Sequence, residues 1–191
     1  QGSSDTVEFA AKNRYTLLQT FTTIEDMERA FDRFREAALK FGYEAQPEQL
    51  GFSHSIYVAE TDEKAWEEYE AHYRRFNQLF WMPNHMKFPP GYVSEKAMQA
   101  IVSKISTSHE KTLQEAFEAG LVTVGSPETV RQRLEELHKR LGFGILNAHL
   151  HKGNMPHWKA MKNLDLFGRK VLPHIQKLGN PNKPGQTNGG S

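Results

Sequence analysis

Residues 125–157, GSPETVRQRLEELHKRLGFGILNAHLHKGNMPH, carry the rhythm that decides the fold of this chain. Gly125-Ser126-Pro127-Glu128-Thr129-Val130 opens a helix: serine caps it, proline is preset for its first turn, and glutamate complements the positive end of the helix dipole. The apolar run from Ile145 to Leu150 has the length and flanks of a buried strand. Gly153-Asn154-Met155-Pro156-His157 then turns into another helix. Helix, single buried strand, turn, helix is the order of a parallel α/β barrel, whose chemistry sits on the turns that follow its strands.

Outward from this stretch the alternation continues. Thr6 to Asn13 reads as a short helix with Ser4 or Asp5 as its cap, since Val7, Ala10 and Ala11 fall on one face. Tyr15 to Thr20 reads as a short strand. Ile24 to Phe41 spaces Met27, Phe31, Phe34, Ala38 and Phe41 three and four residues apart, with Gly42 as the stop, which predicts an amphipathic helix. Gly51 to Glu60 is a β-rich run, and Thr61-Asp62-Glu63 opens a helix over Lys64 to Phe80. Trp81 to Val93 breaks the pattern. Pro83, Pro89, Pro90 and Gly91 preclude regular structure there, while Trp81, Met82, Met86, Phe88 and Tyr92 make it apolar for a loop, as in a lid or an insertion. Ser94 to Gly120 reads as one or two helices, Pro127 to Leu141 as another and Trp158 to Leu178 as the last. Residues 179–191, rich in Asn, Pro and Gly, are expected to form a flexible tail after a unit over residues 1–178.

This reading gives three strands, each followed by a helix, whereas a closed (β/α) barrel needs eight strands and about 250 residues. The expected fold is therefore α/β, a partial (β/α)8 TIM barrel with an insertion. The absent initiator Met also suggests a piece of a longer chain. With 191 residues and 38% hydrophobic content the chain can bury a core. Its 24 basic and 23 acidic residues leave a net charge of +1, too small a field to attract nucleic acid or an anionic membrane. No apolar run approaches the roughly 20 residues that span a bilayer. The absence of cysteine rules out disulfides and thiolate metal sites and suits a reducing compartment, the cytoplasm.

Several residues have the chemistry of a site. Gly2-Ser3-Ser4 before a helix offers backbone N–H groups, two hydroxyls and the positive end of a dipole, which together favour a phosphate; taken alone it also reads as an ordinary serine cap. His149 and His151, two apart on the expected strand, would point to one face. No second ligand cluster accompanies them, so they read as pocket-lining or hydrogen-bonded residues and not as a metal site. Asn154 is expected to tolerate a left-handed turn and cap the next helix, with His157 or Trp158 packing under the loop. The Trp81 to Tyr92 segment reads equally as the cover of an apolar pocket, a subunit interface or a packing surface.

Four stretches resemble the bacterial-luciferase-like, flavin-dependent monooxygenases: Gly2 to Ala11, Val58 to Ala65, Val124 to Val130 and Gly153 to His157. Leu166 to His174 also looks like the closing helix of that family, so the resemblance covers nearly all of residues 1–178. It implies that the chain corresponds to the carboxy-terminal portion of the barrel, from the loop after the fifth strand onward. It further implies that Gly2, Ser3 and Ser4 hold the flavin phosphate and that Trp81, Met82 and Phe88, in what is there an insertion near the active-site mouth, touch substrate. His149 and His151, read above as pocket-lining, are expected substrate contacts on that reading of the residues. The chain departs from the family at His151, where an amide is more usual, and at Lys152, where an apolar or aromatic residue is. The resemblance implies oxidation of a small organic substrate by O2 and reduced FMN from a separate flavin reductase, with F420-dependent hydride transfer as the alternative. From a different class, a non-catalytic half-barrel would associate, as a homo-oligomer or with a partner, to cover its open sheet edge.

Overall fold

The computed structural model describes residues 4–20, 22–79 and 111–178. Helix α1 (Ser4–Lys12) leads through a tight turn at Arg14 (φ 57°) into strand β1 (Leu17–Thr20), followed by α2 (Ile24–Lys40). A single turn of tight helix, Pro47–Gln49, opens the long strand β2 (Leu50–Val58), and α3 (Asp62–Leu79) follows it. Then come α4 (Leu113–Glu118), β3 (Val122–Gly125), α5 (Pro127–Leu141), β4 (Ile145–His149) and α6 (His157–Leu166). The last helix widens into a π turn over Phe167–Val171 and finishes as α7 (Leu172–Ile175).

All strand pairings are parallel and all converge on β2. β1 pairs with its first residues (Leu17 opposite Leu50), β4 with its middle (Gly51 opposite Ile145 to Ser55 opposite His149), and β3 with its end (Ser55 opposite Val122). Among the described residues the outer edges of β1 and β4 pair with no further strand. Parallel strands joined by helical crossovers are the α/β class expected from sequence.

The sheet contains four described strands where three were expected. The additional one, β3, has only the four residues Val122-Thr123-Val124-Gly125, too short to show a periodicity. Its pairing with Ser55–Val58 makes it a strand. The last helix is likewise not uniform. Pro173 has no N–H to donate into the preceding turn, and Leu172 N–H reaches back five residues to the Phe167 carbonyl, so the coil widens just ahead of the proline.

Strand alternation gives the sheet two faces. Leu17, Leu50, Phe52, Ile56, Val58 and Leu146 share one, under Met27, Phe31 and Phe34 of α2 and Val130, Leu134, Leu137 and Leu141 of α5. Phe31, Phe34 and Leu134 are completely buried there, and each contributes about 2–3 kcal/mol through its burial. Ser126 caps α5 by accepting from Thr129 N–H, as its sequence requires. Asp62 ties that cap to α3, accepting from Ser126 N–H at 2.5 Å and Thr129 Oγ1 at 2.9 Å. At Gly144 a side chain would meet the Pro47 backbone at 2.6 Å, so only glycine lets this turn seat against the start of β2.

Asn163 of α6, completely buried, locks the sheet's end. Its amide accepts from Val58 N–H at 2.8 Å and donates to the Ile56 and Leu150 carbonyls at 3.0 and 2.7 Å. One side chain thereby continues the strand hydrogen bonding past the end of β4.

Candidate functional site

The other face of the sheet carries Leu18, Thr20, Ser53, Ser55, Tyr57, Ile145, Asn147 and His149 in register. Towards the end of β2 this face, which Val122 and Val124 of β3 extend, is covered by Tyr69 and Tyr73 of α3 together with Met155. Towards the start the described residues leave it uncovered: Leu18 and Ile145, about two-fifths exposed, project from it with Asn147. Between the covered and open parts lies a row of polar groups. Asn147 Nδ2 donates to Ser53 Oγ at 3.2 Å, and Ser53 Oγ lies 3.0 Å from His149 Nε2. A Ser53 hydroxyl that accepts from Asn147 and donates to His149 satisfies all three groups.

Ser55, directly opposite His149, continues the row. Lys152, three residues beyond the end of β4, donates from Nζ to Ser55 Oγ at 3.1 Å, and Tyr69 shares a hydrogen bond with the same serine. The ammonium lies 4.2 Å from the centre of the Phe76 ring and 5.7 Å from that of Tyr73. Lys152 is only 9% exposed, and among the described residues no carboxylate pairs with it. Burial holds its amine at about 8, well below the ordinary 10.5. Asn147, His149 and Lys152 lie at and just beyond the carboxyl end of β4, the end of a parallel strand where α/β folds place their ligands, and they meet the middle of β2 at Ser53 and Ser55.

Two neighbouring clusters are structural by the same criteria. His54, on the opposite face, is 2.7 Å from Thr123 Oγ1 and packs on Phe52; burial first, then nearby positive charge, pushes it down to about 3, so its ring is neutral. Lys162 pairs with Glu68 at 2.6 Å and Glu60 at 3.3 Å, and Glu68 also accepts from the Tyr57 hydroxyl at 2.6 Å. Here a half-buried lysine has its counter-charges, in contrast to Lys152.

Of the residues expected at a site, His149 stands in the polar row, while His151 lies beyond β4 in an exposed turn. The two do not share a strand face, because the strand ends at His149. Ser4 begins α1, and Gly2 and Ser3 lie outside the described residues. Trp81, Met82 and Phe88 also lie outside them. Gly153 (φ 55°), and not Asn154, takes the left-handed turn; Asn154 Oδ1 instead lies 3.1 Å from His72 Nδ1. Pro156 rather than Asn154 precedes α6, without a side-chain cap, and His157 and Trp158 are exposed on it. Sequence reasoning missed Ser53, Ser55 and Asn147, and noted Lys152 only as a departure from a family pattern.

The profile of the luciferase-like monooxygenases matches residues 2–143. The chain is 23% identical over 175 residues to 3,6-diketocamphane 1,6-monooxygenase of Pseudomonas putida, covering 91% of this chain and 44% of that protein. It thus spans about half the length of the curated relatives it matches. Among solved structures it superposes on a type II Baeyer-Villiger monooxygenase, the oxygenating constituent of 3,6-diketocamphane monooxygenase of P. putida, in complex with FMN. The TM-score is 0.58 and the identity 21%, over 89% of this chain and 45% of that one. The coenzyme F420-dependent tetrahydromethanopterin reductase of Methanopyrus kandleri is similar at a TM-score of 0.57 and 18% identity, over 92% of this chain and 49% of that one. With three-quarters of its residues inside the matching profile and the parallel α/β sheet of these relatives, the chain belongs to the luciferase-like monooxygenase family.

Proposed function

We propose that the chain forms the carboxy-terminal part of an FMN-dependent monooxygenase that oxidises a small organic substrate with O2. In this reading a separate reductase supplies reduced FMN, and the protein works in the cytoplasm. The observation that carries the reading is the polar row Ser53, Asn147, His149, Ser55 on a sheet face that the described residues leave partly uncovered. Neutral donors and acceptors on a sheet face suit the polar edge of a flavin ring, and a closed barrel would turn this face, opposite α2 and α5, inward. A short turn at Arg14 joins α1 to β1, so the start of α1 lies a helix length away from the amino end of β1. The positive end of that helix fits a flavin phosphate held by Gly2, Ser3 and Ser4. When bound, the flavin supplies the redox chemistry. The chain's own residues position it, exclude water through Tyr69 and Tyr73, and present Ser53 and His149 for hydrogen bonding.

The close likeness to an F420-dependent reductase favours deazaflavin binding as a second reading. A third is the half-barrel that associates with itself or a partner, supported by the exposed Leu18 and Ile145 beside strand edges that pair with no further strand among the described residues. Fluorescence titration of the purified chain with FMN and F420 in parallel tests all three. Saturable FMN binding, weakened by Ser3→Ala with Ser4→Ala, is the expected result. Tighter F420 binding selects the second reading. Binding of neither, with a mass that rises with concentration, selects the third.

A further inference from the structure

We propose that Lys152 anchors a singly charged organic oxyanion, a substrate carboxylate or enolate, beside the polar row; this rests on the flavin-enzyme reading for its place in a reaction but not for its binding. Among the described residues the geometry leaves the buried ammonium without a counter-charge. Lys152 is nine-tenths buried, yet its Nζ meets only the Ser55 hydroxyl at 3.1 Å and the rings of Phe76 and Tyr73 among the described residues. The other half-buried lysine of this region, Lys162, is held by Glu68 and Glu60. An ammonium removed from water without an anion is costly, and such groups are kept where a ligand completes them.

The surroundings define the ligand. Nζ has no second cation or guanidinium fork beside it among its described contacts, so it matches one negative charge better than a phosphate dianion. The half-buried Phe76 ring beside the ammonium makes its immediate surroundings apolar, as suits an organic anion. Across the strand pair from Ser55, His149 with its partner Ser53 supplies further hydrogen-bonding capacity on the same face. An organic acid could therefore set its oxyanion between Lys152 and this pair, adjacent to where the flavin ring is placed above.

The test uses the whole chain and benzoate as probe, by isothermal titration calorimetry, with inorganic phosphate, FMN and riboflavin in separate titrations. Wild type is expected to bind benzoate saturably; Lys152→Met weakens it by about tenfold or more, and Lys152→Arg, which keeps the charge, retains part of it. A melting curve of Lys152→Met confirms that the variant is folded. Benzoate binding that is absent from wild type, or unchanged in Lys152→Met, overturns the proposal. So does a Lys152→Met loss confined to phosphate and to FMN over riboflavin, which would assign the cation to the flavin phosphate. If FMN and riboflavin bind to neither chain, the flavin reading fails while the benzoate titration still decides the role of Lys152.

Discussion

On one face of the sheet Phe52, Ile56 and Val58 lie fully under two amphipathic helices, whereas one residue along the same strand Ser53 and Ser55 turn to the other face and meet Asn147, His149 and Lys152. The first face is satisfied by the chain itself. The second contains a buried cation that no carboxylate pairs with among the described residues, and exposed Leu18 and Ile145. The contrast separates residues kept for stability from residues kept at its expense, because a face built only to fold would hide its apolar groups and neutralise its charges.

The largest break in that comparison comes from the helix-covered face. Phe34→Ala should lower unfolding stability by about 3–5 kcal/mol, through lost burial and the cavity left between α2 and the sheet, as read by urea denaturation. Asn163→Ala should cost about 2–4 kcal/mol, because the buried Val58 N–H and the Ile56 and Leu150 carbonyls lose their partner. Faster hydrogen exchange at Val58 than in wild type would localise that effect; unchanged exchange there would show that the sheet end does not depend on this side chain.

On the polar face the sign reverses. The Lys152 amine titrates at about 8 when folded and at 10.5 as a free side chain, so between these values the unfolded chain binds the extra proton. Wild-type stability therefore rises with pH through that window, and the penalty is full below about pH 8. The other titratable groups facing it are His149 and the tyrosines Tyr69 and Tyr73, whose hydroxyls burial pushes up. Lys152→Met should be more stable than wild type by about 1–3 kcal/mol at pH 7, the gain fading above pH 8, measured by melting curves across pH. A destabilised Lys152→Met at pH 7 would mean that the ammonium is held by the fold. The smallest effect is expected at Ser53→Ala, within about 1 kcal/mol of wild type, because its partners Asn147 and His149 remain accessible to water.

How far the sequence discloses these two faces differs between them. The bounds of α5, Pro127–Leu141, follow from its Ser126 cap, its first-turn proline and the glycine after Leu141, all local signals. The helical spacing of Met27, Phe31 and Phe34 likewise reveals the apolar face. The polar face depends on long-range contact. Lys152 reads in sequence as one more solvated lysine, and its burial comes from Tyr73 and Phe76, far away along the chain. Asn163 reads as a polar helix residue, and only the end of β4 gives its amide a purpose. His149 and His151 separate because the strand stops between them, a boundary that alternation alone does not fix.

The central claim, that the open polar face is where this chain meets its cofactor, is tested most directly by titrating the nitrogen-15-labelled chain with FMN and following backbone amide shifts. The account predicts saturable shifts at Ser53, Ser55, Asn147 and His149 and at the start of α1, with Phe31, Phe34 and Leu134 unmoved. Shifts confined to the helix-covered face, or none at FMN concentrations that saturate a relative of this family, would contradict it.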